Sequence, residues 1–511
     1  MSPKINKKEF KKMAAYASAD AYCGGVMMLI SSYFLLYLTI VEQISPWLAG
    51  IAIMIGKIWD GVSDPMMGVI VERTRSRWGK SRPYFLYGAF PVFLSYFMLW
   101  YSFGLNTEIQ KVVYYTFAYM FFSTTFTVIN IPYTCLLPRI VNSYEERTNY
   151  SSMQMIFSGL SCVFATFFFE FIIYRGQRGV PLSPAFKGNF ALMGLIMGLI
   201  FIVPILITFF GTKEKSSLEE KTLISLKTIF SQYGDVLKNS SYRKNLGMGL
   251  ASGFVAGMVS VGMIFFAYII LSQDLILGLT VITVVLTIKG VTEIAFFPVN
   301  VLLMKKFNKH MPFKVDIPLI IGAGIIALLI PAGGSPILFI ISIAFLGMGV
   351  SCLGFVPMTL FPDITDVDEA ICGRRREGIA AGLSTFIRKI NGGFTTFLAG
   401  AILSASGLDP SKPDTAIRTA QTMWGVKIIY AVIPILACIV ILLIVRTFKI
   451  DRVSHGVLKS AIITKHEQGY VDLTPEEKKM CEEMSGLPYE KLWLSKREDK
   501  NSIADNDSNV K

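Results

Sequence analysis

The sequence predicts an all-α integral membrane protein, with twelve transmembrane helices in two six-helix halves. Three observations predict it. Of 511 residues, 53% are hydrophobic and only 17% charged, where a soluble chain carries nearer a quarter. The apolar residues come in blocks of about 20 or more, enough to cross a bilayer core about 30 Å thick. Lys and Arg gather in alternate connections, as they do in the cytoplasmic loops of a membrane protein.

The blocks fall at 14–40, 46–72, 83–104, 109–137, 149–175, 188–210, 245–272, 278–304, 314–332, 335–361, 378–404 and 421–447. The first follows the tail MSPKINKKEFKK, is interrupted by Asp20 and lacks a convincing cleavage site. It reads as an uncleaved span, not a signal peptide. The tail and the loops at 73–82, 138–148, 211–244, 305–314 and 362–377 hold most of the Lys and Arg, whereas VEQISP, LNTEIQK and SQDLIL are short and poor in positive charge. Both termini are therefore expected in the cytoplasm of a multi-pass plasma-membrane protein. The same loops account for most of the net charge of +13, so nucleic acid is not called for. The seven Cys are scattered, without zinc-like spacing or a disulfide framework.

Residues 1–210 form the first half, 211–244 a cytoplasmic linker, 245–449 the second half and 450–511 a cytoplasmic tail. The linker is rich in Lys, Glu and Ser, with an amphipathic stretch at Leu223–Leu237. A weak internal echo supports two halves: IPYTCLLP from Ile131 ends span four, and VPMTLFP from Val356 ends span ten. In the tail, TPEEKKMCEEM reads as one short soluble helix capped at Thr474, and the last dozen residues as disordered. About 60 residues are too few for a catalytic domain with its own core. A cytoplasmic partner is the remaining use for them.

The chemistry centres on Ile51–Tyr84, IAIMIGKIWDGVSDPMMGVIVERTRSRWGKSRPY. On a helix, Asp60 and Asp64 share a face with Lys57. They lie roughly 20 Å and 14 Å along the axis from Arg73, inside the bilayer. Charges at that depth face a bundle interior and mark ion or substrate paths. A purely structural pairing with Lys57 is the bland alternative, but one Lys cannot neutralise both carboxylates and Asp20 as well. Two such carboxylates either share a proton or gather a hard cation, with Ser63 and Thr127 as neutral oxygens. Arg388 and Lys389 lie on span eleven; snorkelling to the basic face competes with an inward position. Lys289 and Glu293 form an i, i+4 pair that satisfies itself, and Glu170 is expected at the interface. No histidine falls inside a span. No Walker sequence, HExxH or GxSxG constellation is present, so neither an enzyme nor a cofactor is expected, and energy must come from an ion gradient.

WDGVSDPMMGVIVERTRSRWGKSRPY and PDITDVDEAICGRRREGIAAGLSTFIRKINGGF resemble two blocks of the glycoside–pentoside–hexuronide:cation symporters, the melibiose-carrier-like branch of the major facilitator superfamily. The likeness covers nearly the whole twelve-span region and leaves out the tail. It implies a cation site of Asp60, Asp64, Thr127 and Ser63, the last standing where the best-known members have Asn. It implies a substrate site of Asp20, Asn130, Thr134 and Lys389, in which Asn130 replaces an Asp and Thr134 an aromatic. Ala19 stands in place of a Lys, and Gln154 or Met155 where the family has an Arg. The coupling ion would be Na⁺ or H⁺, and the cargo a sugar, glycoside or uronide imported by alternating access. Lys389 would face Asp20 across the cavity and there serve a neutral sugar as one of a donor–acceptor couple or meet the carboxylate of an anionic cargo. The bland alternative is that it pairs with Asp60 or Asp64 in the empty carrier and holds the site closed. Loop charges that include Arg73, Asp366 and Arg375 are expected to pair across the halves as a gate. A same-fold carrier of a lipid or drug-like molecule, and a transporter-like sensor working through its tail, stay open.

Overall fold

The computed structural model describes residues 7–141, 144–174, 182–214, 233–271, 280–374, 376–409 and 418–496. Arg375, most of the linker and the end of the tail lie outside the described residues.

Twelve long helical segments follow one another: α1 Lys7–Leu29, α2 Pro46–Arg73, α3 Arg82–Leu99, α4 Glu108–Ile140, α5 Tyr144–Tyr174, α6 Lys187–Gly211, α7 Ser240–Ile269, α8 Val281–Lys306, α9 Met311–Leu329, α10 Pro336–Cys372, α11 Glu377–Ala405, and α12 from Ala420 to Thr447. Among the described residues, nine are long and apolar enough to cross a membrane. The other three are α2, which carries Lys57, Asp60 and Asp64, the 18-residue α3, which opens on Arg82, and α11 with Arg388 and Lys389. In two of the three, charges within the span lower the apolar character that twelve crossings would show. Proline lies inside α2, α4 and α10, which membrane bundles tolerate because neighbouring groups satisfy the freed backbone. Helix α1 continues through π-helical turns at Ile30–Phe34 and Tyr37–Val41, and α12 has one at Ile428–Val432. The wider turns of α1 carry Tyr33, Phe34 and Tyr37 onto Phe169, Trp100 and Phe190, which builds an aromatic core at the end away from the termini.

Helices α1–α6 pack chiefly among themselves, as do α7–α12, and the main crossing is α2 along α11. Glycine makes that crossing close. A Cβ added at Gly50 would come within 2.8 Å of Phe397 Cα, one at Gly393 within 2.9 Å of Lys57 Cβ, and one at Gly400 would overlap the Pro46 carbonyl. Small residues at a membrane helix crossing let the backbones approach. At the far end, hydrogen bonds tie the halves. Trp47 N donates to Ser404 Oγ at 3.1 Å, Tyr268 Oη to the Leu182 carbonyl at 2.8 Å, and Thr280 N to Glu170 at 2.8 Å. Glu170, expected at the interface with lipid headgroups, is instead buried and caps the start of α8. A carboxylate at a helix N-terminus meets unpaired N–H groups and the positive end of the dipole.

Two expectations about the basic end are corrected. The predicted loop at 362–377 is helical through Cys372, where Gly373 at φ 71° ends the turn. It stays helical because Ile364, Val367 and Ala370 recur at helical spacing and are buried. The tail supplies part of that cover, and it holds more than one helix. Helix α13, Arg452–Gln468, is opened by a capping box at Asp451, and α14, Pro475–Ser485, by one at Thr474. The Ser454 amide and side chain, with the Val453 amide, hold the Asp451 carboxyl below its ordinary range. Leu458, Ile462, Met484, Leu492 and Leu494 are buried, so the tail docks on the bundle and needs no separate core.

Candidate functional site

Asp60 and Asp64 lie one helical turn apart on α2, and Thr127 on α4 bridges them. Its Oγ1 is 3.1 Å from Asp60 Oδ1 and 2.8 Å from Asp64 Oδ1. Ser63 Oγ lies 3.5 Å from the same hydroxyl and donates to the Asp60 carbonyl at 3.2 Å. The four residues expected at a cation site are thus brought together, and Asp60, Ser63 and Thr127 are buried. Lys57 is not their partner. It turns to the Tyr119 hydroxyl, against which Gly56 leaves room. The cation that reaches the carboxylates comes from the other half. Lys389 Nζ is 2.8 Å from Asp60 Oδ2 and 2.5 Å from Asp64 Oδ2. Among the described residues this is the only ion pair between the halves. An ammonium held by two carboxylates occupies the position a free monovalent cation would take. Removing one partner of such a buried group leaves uncompensated charge and is strongly unfavourable.

The expected substrate residues are only partly gathered. Asp20 on α1 accepts from Gln154 Nε2 on α5 at 3.3 Å, and the Ser158 hydroxyl is a second donor. Asn130 on α4 accepts a weak bond from Cys23 at 3.9 Å. Thr134 turns its hydroxyl back to the Ile131 carbonyl at 2.9 Å, as helical Thr commonly does, and lines no shared site. Lys389, expected to face Asp20, is held by Asp60 and Asp64 instead. Tyr16, Tyr133 and Tyr150 stack beside Asp20, with Tyr16 and Tyr133 centroids 4.7 Å apart. On the other half Lys289 and Glu293 close on each other at 2.8 Å, as their spacing predicts. Arg388 does not pair. It is exposed on the wall of a cavity between α7, α10 and α11.

Of the expected gate residues Arg375 lies outside the described residues, and among those described Arg73 and Asp366 do not pair across the halves. Arg73 is exposed and forms no ion pair among the described residues. Asp366 lies 3.0 Å from His455 of α13, and Glu369 lies 2.9 Å from His466. Each half closes its own charges at this end: Arg139 with Glu72 at 2.7 Å, Lys309 with Asp363 at 2.7 Å, and Arg376 with Asp368 at 2.9 Å. The Glu214 carboxylate accepts from the backbone of Lys80, Ser81 and Arg82 at 2.7–2.9 Å. Sequence reasoning missed the histidines because they lie in the tail, far along the chain from the loop they meet. It also missed the buried Glu42, placed in a short loop by its neighbours. Glu42 collects Lys111 at 3.5 Å, Lys187 at 3.3 Å and Tyr37 at 3.0 Å.

Residues 15–452 match the family model described as MFS/sugar transport protein. The chain is 26% identical over 483 residues to the isoprimeverose transporter of Lactiplantibacillus pentosus, covering 91% of this chain and 93% of that one. It is 24% identical over 484 residues to the sodium-dependent lysophosphatidylcholine symporter 1-B of Danio rerio, covering 88% and 90%. Among solved structures it resembles a D-xylose-proton symporter with a TM-score of 0.58 at 13% identity, over 84% of this chain and 96% of that one.

Proposed function

The chain belongs to the MFS/sugar transport protein family, and from that premise we propose that it is a symporter that carries a sugar-like solute with Na⁺ or H⁺. One observation carries the coupling: the Lys389 ammonium lies between Asp60 and Asp64, where two carboxylates and two hydroxyls converge. When the coupling ion takes that place, Lys389 is released and the one ion pair joining the halves at mid-span breaks. The halves can then rearrange about the glycine seam of α2 and α11. Ion binding thus favours one arrangement over another through a difference in contacts, which is the only way a ligand shifts such an equilibrium. Asp20, with Gln154 and Asn130, supplies acceptors and donors for cargo hydroxyls on the first half. Among the described residues hydrogen bonds tie the halves at the far end and none does so at the basic end, which supports a carrier open to the cytoplasm, with both termini on that side. Arg73 and Asp366 would then meet only in the opposite arrangement.

Supporting the sugar class are the family and the isoprimeverose carrier, and supporting ion coupling is the sodium-dependent symporter among the relatives. Those relatives include both sodium and proton users, so the ion is a matter for experiment. Purified protein in liposomes, given an inward Na⁺ or H⁺ gradient, should concentrate a labelled pentoside or hexoside. Equilibration without accumulation under either gradient would remove the coupling. The lysophosphatidylcholine relative supports a second reading, carriage of an amphiphile, and labelled lysophosphatidylcholine in the same liposomes is its test.

A further inference from the structure

The second half holds a buried carboxylate that the proposed ion cycle does not use. Asp316 lies on the second turn of α9, about 8 Å along the axis from Met311. It meets Asn300 of α8, and both residues are 0% exposed. Asp316 makes no ion pair with another described residue. Lys305 and Lys306 at the end of α8, Lys314 of α9 and Arg446 of α12 all point out to the exposed surface. The titratable groups beside Asp316 are Cys352 of α10 and, behind that thiol, Cys438 of α12. Neither brings a positive charge.

Every donor in the cluster is already engaged. Asn300 Nδ2 gives one hydrogen to Asp316 Oδ2 at 2.7 Å and the other to Ser351 Oγ at 2.6 Å. The Ser351 hydroxyl divides its one hydrogen between the Met348 carbonyl at 2.6 Å and Asp316 Oδ2 at 3.2 Å. The Cys352 thiol donates to the Gly349 carbonyl at 3.6 Å. Two oxygens remain, Asp316 Oδ1 and Asn300 Oδ1, each buried and without a donor. Two bare acceptors are unfavourable, and an ionised carboxylate without a cation inside a membrane is more so. One proton removes both penalties. Placed on Asp316 Oδ1, it makes the carboxyl neutral and creates the missing donor. The amide already gives an N–H to the carboxyl, and an O–H returned to Asn300 Oδ1 closes a ring of two hydrogen bonds. Close packing favours so small a guest: a Cβ added at Gly349 would come within 2.5 Å of Ile320 Cγ1 and 2.8 Å of the Asp316 carbonyl.

We propose that Asp316 is the binding site of a resident proton, a neutral carboxylic acid whose Oδ1–H donates to Asn300 Oδ1. The proposal goes beyond the symporter reading and does not depend on it. The acid–amide ring joins α8 to α9, and Ser351 links it to α10, all within the second half and away from the seam of α2 and α11. The halves move about that seam with the ring intact, so this proton is not the coupling ion.

Infrared spectroscopy of the purified full chain in nanodiscs at neutral pH tests the assignment, because a protonated carboxyl shows a C=O stretch that an ionised one lacks. Wild type should show such a band, Asp316→Asn should lose it, and Asp60→Asn and Asp64→Asn should keep it. Asp316→Asn puts an N–H where the O–H stood and should melt with wild type, whereas Asp316→Ala, which strips Asn300 of its partner, should melt earlier. Asn300→Ala keeps the acid but removes a donor from Oδ2, and should move the band to higher frequency. That arm stands even where Asp316→Asn fails to fold. Na⁺ should leave the band in place. Identical carboxylic-acid bands in wild type and a folded Asp316→Asn overturn the proposal, and are the result expected of an ionised Asp316 served by a water between the two oxygens. A band unmoved in Asn300→Ala overturns the ring. A band erased by Na⁺ overturns the resident proton and makes Asp316 part of the ion cycle.

Discussion

The two halves differ in the sign of the charge they bring to the seam between α2 and α11. The first half contributes carboxylates: Asp20 on α1, Asp60 and Asp64 on α2. The second contributes cations: Arg388 and Lys389 on α11. Where the two signs meet, at Lys389 with Asp60 and Asp64, the halves are joined at mid-span. Asp20 and Arg388 form no ion pair among the described residues. The lesson is that an intramembrane ion pair across a movable interface serves as an exchangeable contact. It holds one arrangement until an ion of the same sign as Lys389 replaces it.

Neutralising the acidic side at the meeting point should have the largest effect. Asp60→Asn and Asp64→Asn should each reduce gradient-driven accumulation to background while the protein still reaches the membrane. Concentrative uptake measured beside surface expression checks this, and normal accumulation by both variants would end the coupling role. Neutralising the basic side should act in a different direction. Lys389→Gln leaves the buried Asp60 and the half-buried Asp64 without their ammonium, and breaking a buried pair costs about 3–5 kcal/mol. The variant should melt earlier than wild type in ion-free buffer, and Na⁺ or a lowered pH should restore more of its thermal stability than they add to wild type. Equal stabilisation of the two proteins would show that Lys389 does not stand in for the ion.

Asp20 sharpens the contrast because it is an acid of the first half that meets no cation. Asp20→Asn keeps the shape and an oxygen acceptor but loses the charge-assisted contact to cargo hydroxyls. Substrate binding should weaken about 10-fold, the equivalent of roughly 1.4 kcal/mol, and ion binding should stay within about twofold. Equilibrium binding of both ligands decides it. An equal loss of both would place Asp20 in the ion site.

Much of this contrast was legible in the sequence, because an Asp in an apolar run is conspicuous. The four-residue spacing placed Asp60 and Asp64 on one face, and the two hydroxyls followed from the family likeness. What periodicity could not show was which cation they meet. Lys57 lies three residues from Asp60 and was the local choice, but Gly56 opens a path to Tyr119 and the glycine seam brings Lys389 in from a helix more than 300 residues away. The same limit applies to the basic end. PDITDVDEA reads as a loop by its proline and charges, and it is helical because Ile364, Val367 and Ala370 are buried, under cover to which a tail some 90 residues later contributes. Local pattern fixes which residues are costly to bury, and tertiary contact decides what offsets the cost.

The smallest expected effect concerns that tail. Asp366 was expected to meet Arg73 across the halves, and here it lies 3.0 Å from His455 with both side chains only partly shielded, 20% and 16% exposed. His455 and Arg73 are therefore rivals for one carboxylate, and the tail favours the arrangement in which the basic end is open. A partly exposed ion pair is worth about 1 kcal/mol or less, so the bias is at most about fivefold in population. His455→Ala should move a reporter cysteine at the basic end toward the less accessible state by two- to fivefold, a shift of that same small energy. Arg73→Ala should oppose that shift, and the double variant should behave like Arg73→Ala alone. The order follows from rivalry: without Arg73, releasing Asp366 from His455 no longer draws the halves together through that pair. Additive effects of the two substitutions, or a His455→Ala shift that persists without Arg73, would mean that the tail acts by packing through α13 and not through Asp366.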